Sequence, residues 1–341
     1  MIRGLFIGCG AAGAEWLRLF LAEGDTRLAA VVEPSARCLT ALNLPAETSV
    51  YDDLETALSA VKADVAFIAS PSFMHAEQFI SCARRGLHVF VEKPIALAME
   101  DALLMREAAQ EEGIKTATPW GAERHFFLRR SIELFRSGTL GRLMQIHAIR
   151  VGSNGFYSDV GEAAHYAVRQ PRVSGGWIQH HLSHLIDWAM QIGGPVQSIY
   201  GRTDTTVPRP ESRQEEAVAA ILNFRGGGTA MVAENQLRHR YQRWAIVGDR
   251  GGQFISWYPE ARGRQPYLTI ETAIEAETAL QSYDMDQFSA EAAKHPSAMR
   301  RFLDAIENDT PLSSLDRGIE NLQLCAALHQ SAETGQPVVV G

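Results

Sequence analysis

Several absences narrow the reading before any motif is considered. There are only four cysteines in 341 residues (Cys9, Cys38, Cys82, Cys325), scattered and without a C-x-x-C pair. A disulfide framework and a zinc ribbon are therefore disfavoured, and a reducing cytoplasm is the expected compartment. No long basic run occurs and the net charge is −8, which argues against nucleic acid or an anionic membrane as partner. No apolar run is long enough to span a bilayer, and Met1-Ile2-Arg3-Gly4 leads straight into a strand-like segment without a signal-peptide layout. Internal repeats and low-complexity tracts are absent too. What remains, with 46% hydrophobic and 21% charged residues, is the composition of a globular protein with a large core, and the length suggests two domains.

The most informative stretch is the N-terminus. An apolar run, Ile2 to Ile7, ends at Gly8; Gly10 and Gly13 complete a G-x-G-x-x-G, and a helical pattern follows at once. Each glycine has a physical reason. Gly8 makes the tight turn, Gly10 lets a pyrophosphate approach the backbone, and Gly13 allows the helix to pack on the strand. The N–H groups at the helix start, those of Ala11 and Ala12 included, then face the phosphates. A second strand, Leu28–Val32, ends in Glu33, twenty residues past Gly13, where a carboxylate reaches the adenosine ribose hydroxyls. That carboxylate favours NAD over NADP, and Arg37, one helical turn on, is the residue that would soften the preference.

The first third of the chain alternates strands (Ile2–Ile7, Leu28–Val32, Val65–Ser70, Val89–Val91, Lys115–Pro119) with helices (Ala14–Ala22, Ser35–Leu42, Leu54–Ala60, Met74–Arg85, Met99–Glu112). This is the βαβ signature of a doubly wound parallel sheet, with Asp52-Asp53 capping the third helix. Ligands bind beyond the carboxyl ends of such strands. Two of those ends carry unusual chemistry: Ser70-Pro71-Ser72-Phe73-Met74-His75, and Glu92-Lys93-Pro94. Both loops are expected to open onto the crevice of the glycine turn, although turn-forming prolines and a solvated Glu-Lys pair would look the same in sequence.

From Leu143 the texture changes. Met144–Val151, Val196–Thr203, Ala217–Phe224, Thr229–Glu234, Gln242–Val247 and Gln253–Ser256 read as strands joined by short turns, which predicts an α+β domain with an antiparallel sheet. One long helical pattern, Gly176–Ile192, interrupts them, and Asn154–Val173 reads as a loop over the site. Two C-terminal helices, Ser297–Asn308 and Asp316–Thr334, have apolar faces suited to docking on the first domain. The expected boundaries are 1–122 and 123–341.

In the interrupting helix His180, His184 and Asp187 are spaced i, i+4, i+7 and share a face of an α-helix. A hydride transfer to a bound dinucleotide leaves a proton that a nearby base must take up. Two neighbouring imidazoles disfavour double protonation, so one stays neutral and able to take that proton, with Asp187 placed to orient His184. His181, Trp177, Leu185 and Trp188 read as the packing face. His180-x-x-x-His184 also has the spacing of a helical zinc pair, with Asp187 or His165 as a further ligand, but hydride transfer of this kind needs no metal. Arg124, His125 and Tyr166 are candidate pocket residues, equally compatible with surface or interface positions.

These ordered signals resemble the Gfo/Idh/MocA oxidoreductases, a family that includes glucose–fructose oxidoreductase and inositol dehydrogenases. The matching pieces are Gly8-x-Gly10-x-x-Gly13, Ser70-Pro71-x-x-x-His75, Glu92-Lys93-Pro94, the helix Gly175-Gly176-Trp177 through Asp187, and Asp316-Arg317-Gly318-Ile319-Glu320-Asn321. The resemblance implies a Rossmann domain followed by a domain with a large, mostly antiparallel open sheet, and NAD or NADP as cofactor. It implies that Lys93 touches the substrate oxygen and that His184 is the catalytic histidine. Two positions depart from the family pattern: His180 stands where an acid is common, and Leu182 where a glycine is common. The expected substrate is a sugar, cyclitol or related polyol. A cyclic dihydrodiol or aromatic semialdehyde is the alternative, with Trp120, Phe156 and Trp177 as the aromatic lining, and a non-catalytic nicotinamide-binding sensor is a third reading. An apolar open sheet face predicts a homodimer or homotetramer through the second domain.

Overall fold

The sheet of the first unit is built from short apolar strands that alternate with helices. The computed structural model describes residues 1–151, 175–204, 215, 217–235, 241–258 and 267–341. It divides into two compact units. One comprises residues 1–119, 172–175 and 296–322; the other 120–171, 176–295 and 323–341.

In the first unit six parallel strands, β1 (Ile2–Ile7), β2 (Thr26–Val32), β3 (Ser49–Tyr51), β4 (Val65–Ile68), β5 (His88–Val91) and β6 (Thr116–Ala117), lie in the order β3-β2-β1-β4-β5-β6. The helices between them are α1 (Ala11–Ala22), α2 (Ala36–Thr40), α3 (Leu54–Ala60), α4 (His75–Ala83) and α5 (Met99–Glu111). Asp53 caps α3 by accepting from the Thr56 amide at 2.8 Å, as the sequence suggests. The three-residue β3 was not legible because it has no apolar run of its own; two of its three side chains are exposed.

The register aligns one residue type across the sheet. Phe6 of β1 pairs with Phe67 of β4, and Phe67 with Phe90 of β5. The Phe6 and Phe67 rings stack at 4.5 Å. Phe20 of α1 packs edge-on against both. A later helix, Ala298–Glu307, brings Phe302 onto Phe67 and Phe90. Arg300 of that helix reaches Asp25 at 2.9 Å and Asp304 at 2.7 Å, so the C-terminal segment of this unit is tied to the turn before β2.

The second unit opens with α6 (Gly121–Arg124) and α7 (Phe126–Arg136) and carries a nine-stranded sheet. Its strands are β7 (Leu143–Val151), β8 (Val196–Asp204), β9 (Ala217–Phe224), β10 (Thr229–Asn235), β11 (Tyr241–Gly248), β12 (Gly251–Tyr258), β13 (Tyr267–Ile274), β14 (Glu277–Tyr283) and β15 (Val338–Val339). The order is β14-β13-β12-β11-β7-β10-β9-β8-β15, and every neighbouring pair is antiparallel except β7 with β10. The outermost strands β13 to β15 were not read from sequence. Six of the seven residues of β14 are exposed, so it lacks the alternation that marks a half-buried strand. The remaining helices are α8 (Ser183–Gly193) and α9 (Met285–Ala292) in this unit, α10 (the Ala298–Glu307 helix) in the first, and α11 (Leu315–Thr334), whose residues are divided between the two.

One face of this sheet is covered by the core of the unit, Ile146, Ala148, Ala230, Val232 and Leu222 among it. The other face carries a continuous cross-strand row: Ile221, Met231, His147, Ala245, Phe254, Glu271, Leu280. Ile221, Met231, Phe254 and Leu280 are 42%, 44%, 44% and 66% exposed.

The glycine turn is the tightest point of the first unit. Gly8 has φ +82°, and a Cβ on Gly13 would meet the Gly8 carbonyl oxygen at 2.0 Å. A backbone atom cannot swing aside, so Gly13→Ala is expected to destabilise the unit by about 3 kcal/mol, the upper part of the range for overpacking. Urea unfolding of the two proteins measures this, and an unchanged midpoint would refute the close approach.

Candidate active site

Three loops meet at the carboxyl ends of β1, β4 and β5. At the first, Gly8 lies against the backbone of Ala69 and Ser70, where a Cβ would come within 2.7 Å of three of their atoms. Gly10 precedes α1 without a side-chain cap, and nothing lies within 4 Å of the position its Cβ would take. The first turn of α1 holds no acidic residue. The amides of Ala11, Ala12 and Gly13, which an α-helix cannot bond internally, thus stand beside open space with a positive helix end behind them. This is the donor set that a pyrophosphate requires, and NAD fits it.

Glu33 is buried at 6% exposure at the end of β2. Its Oε2 accepts from the Cys9 amide at 2.7 Å and its Oε1 from the Ser35 amide at 2.8 Å. The carboxylate therefore braces the glycine turn as well as standing where a ribose is expected, and a ribose hydroxyl would use the second lone pair of either oxygen. Arg37 is exposed on α2. Burial and the charge of Glu33 push the Cys9 thiol up to about 12, so it stays protonated.

Glu92 is likewise buried and doubly engaged. Trp16 of α1 donates its indole N–H to Oε1 at 2.8 Å, and the Lys93 amide donates to Oε2 at 3.0 Å. The strand end is thereby fixed, and Lys93 is left half-buried beyond it. His75 is 1% exposed, with Nδ1 2.8 Å from the Pro94 carbonyl and Nε2 2.9 Å from the Ser70 carbonyl. The ring joins the Ser70-Pro71 loop to the Glu92-Lys93-Pro94 loop. Desolvation is the largest influence on it and holds its pKa below the ordinary value. Ser70 donates to Gln78 Oε1 at 2.5 Å. The sequence placed Ser70, His75 and Glu92 at the crevice; the structure adds that His75 and Glu92 have their polar atoms committed to protein partners.

In the second unit the histidine helix departs from the expected α geometry. Residues 178–182 form a π turn, and the α-helix proper runs on as α8. Trp177, at the start of this turn, stacks on His181 at 4.0 Å. From Gly176 to Met190 only His180, His181 and His184 are less than fully buried. A helix buried on every side but three imidazoles is an arrangement suited to proton transfer, and π turns occur preferentially at functional sites. His184 lies beside Gly121, whose Cβ would be 3.3 Å from the His184 Cβ, and edge-on to Trp120 at 6.2 Å. Asp187 is fully buried, and its Oδ2 accepts from Gln191 Nε2 at 2.9 Å. Glu215 accepts from the Trp177 amide at 3.1 Å and faces His329 Nδ1 at 3.3 Å, which supplies a carboxylate at the start of the helix.

The sequence reading missed Glu215, Gly121, Arg150 and Glu234, since each acts through residues far away in the chain and none belongs to a local motif. His125 is half-buried, and its ring packs against Phe127 and Trp257 at 5.3 and 4.7 Å. Phe156, His165, Tyr166 and the segment 154–173 lie outside the described residues. Among the described residues no group of three His, Cys, Asp or Glu side chains is arranged to hold a metal ion, and no helix is long and apolar enough to cross a membrane.

A parallel sheet ending in a glycine-braced phosphate cradle, with a second unit on a mostly antiparallel sheet, defines a dinucleotide-linked class of protein. The comparisons narrow it. Residues 2–118 match the profile of the oxidoreductase family with an NAD-binding Rossmann fold, and residues 128–253 match the Gfo/Idh/MocA C-terminal domain. The chain belongs to the Gfo/Idh/MocA oxidoreductase family. It is similar to 2,7-anhydro-N-acetylneuraminate hydratase of Mediterraneibacter gnavus, 29% identical over 57% of this chain and 50% of that protein. The chain thus spans about half the length of the first curated relatives it matches. It is also similar to D-glucoside 3-dehydrogenase of Escherichia coli, 24% identical over 99% of this chain and 97% of that protein. In fold it matches the WlbA dehydrogenase from Bordetella pertussis in complex with NADH and UDP-GlcNAcA. The TM-score is 0.80 at 22% identity, covering 100% of this chain and 99% of that one.

One consequence concerns acid stability. Burial, reinforced by the charges of Arg124, Arg150 and Arg129, pushes His125 from 6.5 down to about 3. Between those values the unfolded chain binds a proton that the folded chain refuses. The stability involved is fully present above pH 6.5 and is lost as the pH falls toward 3. His125→Phe keeps the aromatic packing and removes the proton, so its unfolding free energy should fall less steeply than that of the wild type over this interval. Parallel slopes in a pH series of denaturant titrations would contradict the assignment.

Proposed function

We propose that this protein is an NAD-dependent dehydrogenase acting on a secondary hydroxyl of a sugar, cyclitol or related polyol. The observation that carries the reading is the conjunction, in one chain, of an open phosphate cradle at Gly10 with a buried helix whose half-exposed side chains are histidines. The names of relatives that act on sugars support the substrate class. When bound, the nicotinamide accepts a hydride from the carbinol carbon. The chain supplies the rest. The amides of Ala11, Ala12 and Gly13 hold the pyrophosphate, with Gly8 and Gly10 leaving it room, and Glu33 takes the ribose and favours NAD over NADP.

Lys93 polarises the substrate oxygen and stabilises its alkoxide character as the hydride departs. His184 takes the hydroxyl proton, and His180, where the family commonly has an acid, lies one turn away as its relay partner. Glu92, His75, Ser70 and Pro71 hold the loop that presents Lys93. In the reverse direction the same groups protonate a ketone. The exposed apolar row on the sheet of the second unit is, in this proposal, the contact between copies in a dimer or tetramer.

His184→Asn is expected to lower kcat by about 10²–10⁴-fold, the usual contribution of a general base. Lys93→Met should cost about 10²–10³-fold, as for other stabilisers of developing oxyanions. NAD binding, followed by fluorescence titration, should change little in either. Steady-state NADH formation on a panel of polyols and aromatic cis-diols provides the measurement; wild-type rates in both variants would sink the assignment, and activity confined to the diols would redirect the substrate class. For assembly, Met231→Glu should convert an oligomer to a monomer in light scattering at micromolar concentration, and a monomeric wild type would refute the interface.

A further inference from the structure

Arg150 of β7 and Glu234 of β10 are directly opposite each other on the one parallel pair among the described strands of the nine-stranded sheet. Both lie in the inward row, and their side chains are 16% and 0% exposed. The guanidinium makes a two-pronged bond, Nε to Oε1 at 2.7 Å and Nη2 to Oε2 at 2.7 Å. Such a pair is charge-balanced and rigid, and burying it gives little net stability over apolar residues of similar volume. Its second set of bonds points elsewhere. Arg150 Nη2 also donates to the His181 carbonyl at 2.9 Å and lies 3.2 Å from His181 Nδ1. Both atoms belong to the π turn, which contains His180 and leads into the α-helix that carries His184.

A guanidinium only donates. A bond from it to His181 Nδ1 requires that atom to accept and the ring proton to sit on Nε2; Glu234 Oε1, 3.7 Å from the same Nδ1, is beyond hydrogen-bond distance. His181 in turn stacks on Trp177 and meets His180 edge-on at 4.9 Å. The chain of contacts runs from the sheet, through one guanidinium, to the carbonyl and the ring of the residue next to His180.

We propose that Arg150, held by Glu234, is a positioning residue: it sets the π turn and the His181 tautomer, and thereby the placement of His180 and His184. The proposal rests on the reading of His184 as the acid/base, but one arm of its test does not. In the wild type, long-range ¹⁵N–¹H correlation spectra of histidine-labelled protein, with His181 assigned from a His181→Gln sample, should show an unprotonated Nδ1 and a protonated Nε2. The R150M variant leaves a buried carboxylate uncompensated and is prone to misfold, so R150M/E234L, which replaces the pair by apolar groups of similar volume, is the working variant. It should fold with wild-type circular dichroism and bind NAD as the wild type does.

Its His181 signal should shift to a mixture of tautomers. Its kcat should fall by about 10²-fold, as for other small misplacements of reacting groups, with the pH dependence of kcat displaced and the KM for NAD unchanged. Wild-type kcat and pH profile in the folded double variant would overturn the proposal, and so would a protonated Nδ1 on wild-type His181. If the wild type oxidises none of the alcohols tested, the dehydrogenase reading fails while the tautomer measurement still decides the role of Arg150.

Discussion

Carboxylates withdrawn from water, each oxygen met by a donor, hold this protein's loops in place. Glu33, Glu92 and Glu234 are each less than a tenth exposed, and each accepts at least two charge-assisted hydrogen bonds. Burying a carboxylate without such partners is costly, so the geometry of the donors is enforced as strongly as that of the acid. Glu33 gathers the amides of Cys9 in the glycine turn and of Ser35 before α2. Glu92 ties α1 to the loop that carries Lys93. Glu234 anchors the arginine that reaches the histidine helix. Loops that would otherwise be soft are thereby given one conformation.

This explains a division of labour among the residues at the strand ends. Glycines provide space: Gly10 faces an opening, and Gly13 and Gly8 bring backbone to backbone. Buried polar side chains provide position: His75 joins two loops through two carbonyls, and Glu92 does the same for a helix and a strand end. Between these fixed groups stand half-buried side chains, Lys93 in the first unit and His180, His181 and His184 in the second. Family membership and the open cradle both agree with a protein that leaves the redox step to a nicotinamide and uses its own side chains to place and move protons.

The histidine helix shows where local pattern stops being informative. Spacing i, i+4, i+7 places His180, His184 and Asp187 on one face of an ideal helix, but the structure inserts a π turn at 178–182. Asp187 bonds Gln191, one turn on, and the sheet residue Arg150 bonds the turn itself. No single-sequence pattern signals a π turn, because the carbonyl it presents is met by a side chain 31 residues earlier in the chain. His125 carries the same lesson. Its type suggests a pocket base, while its ring lies against Phe127 and Trp257.

The sequence by itself determined most of the elements of the first unit and much of the cradle. Runs of apolar residues without alternation dictate buried parallel strands, a glycine is demanded wherever backbone must touch backbone, and Asp53 can cap a helix from one position away. These are short-range constraints, readable from a few neighbouring residues. Tertiary structure alone decided the outer strands β13 and β14, the pairing of β7 with β10, and the partners of Glu33, Glu92 and Arg150. Those depend on which side chains meet across dozens or scores of residues, and the energy of a buried charge is set by that meeting rather than by the residue's own identity.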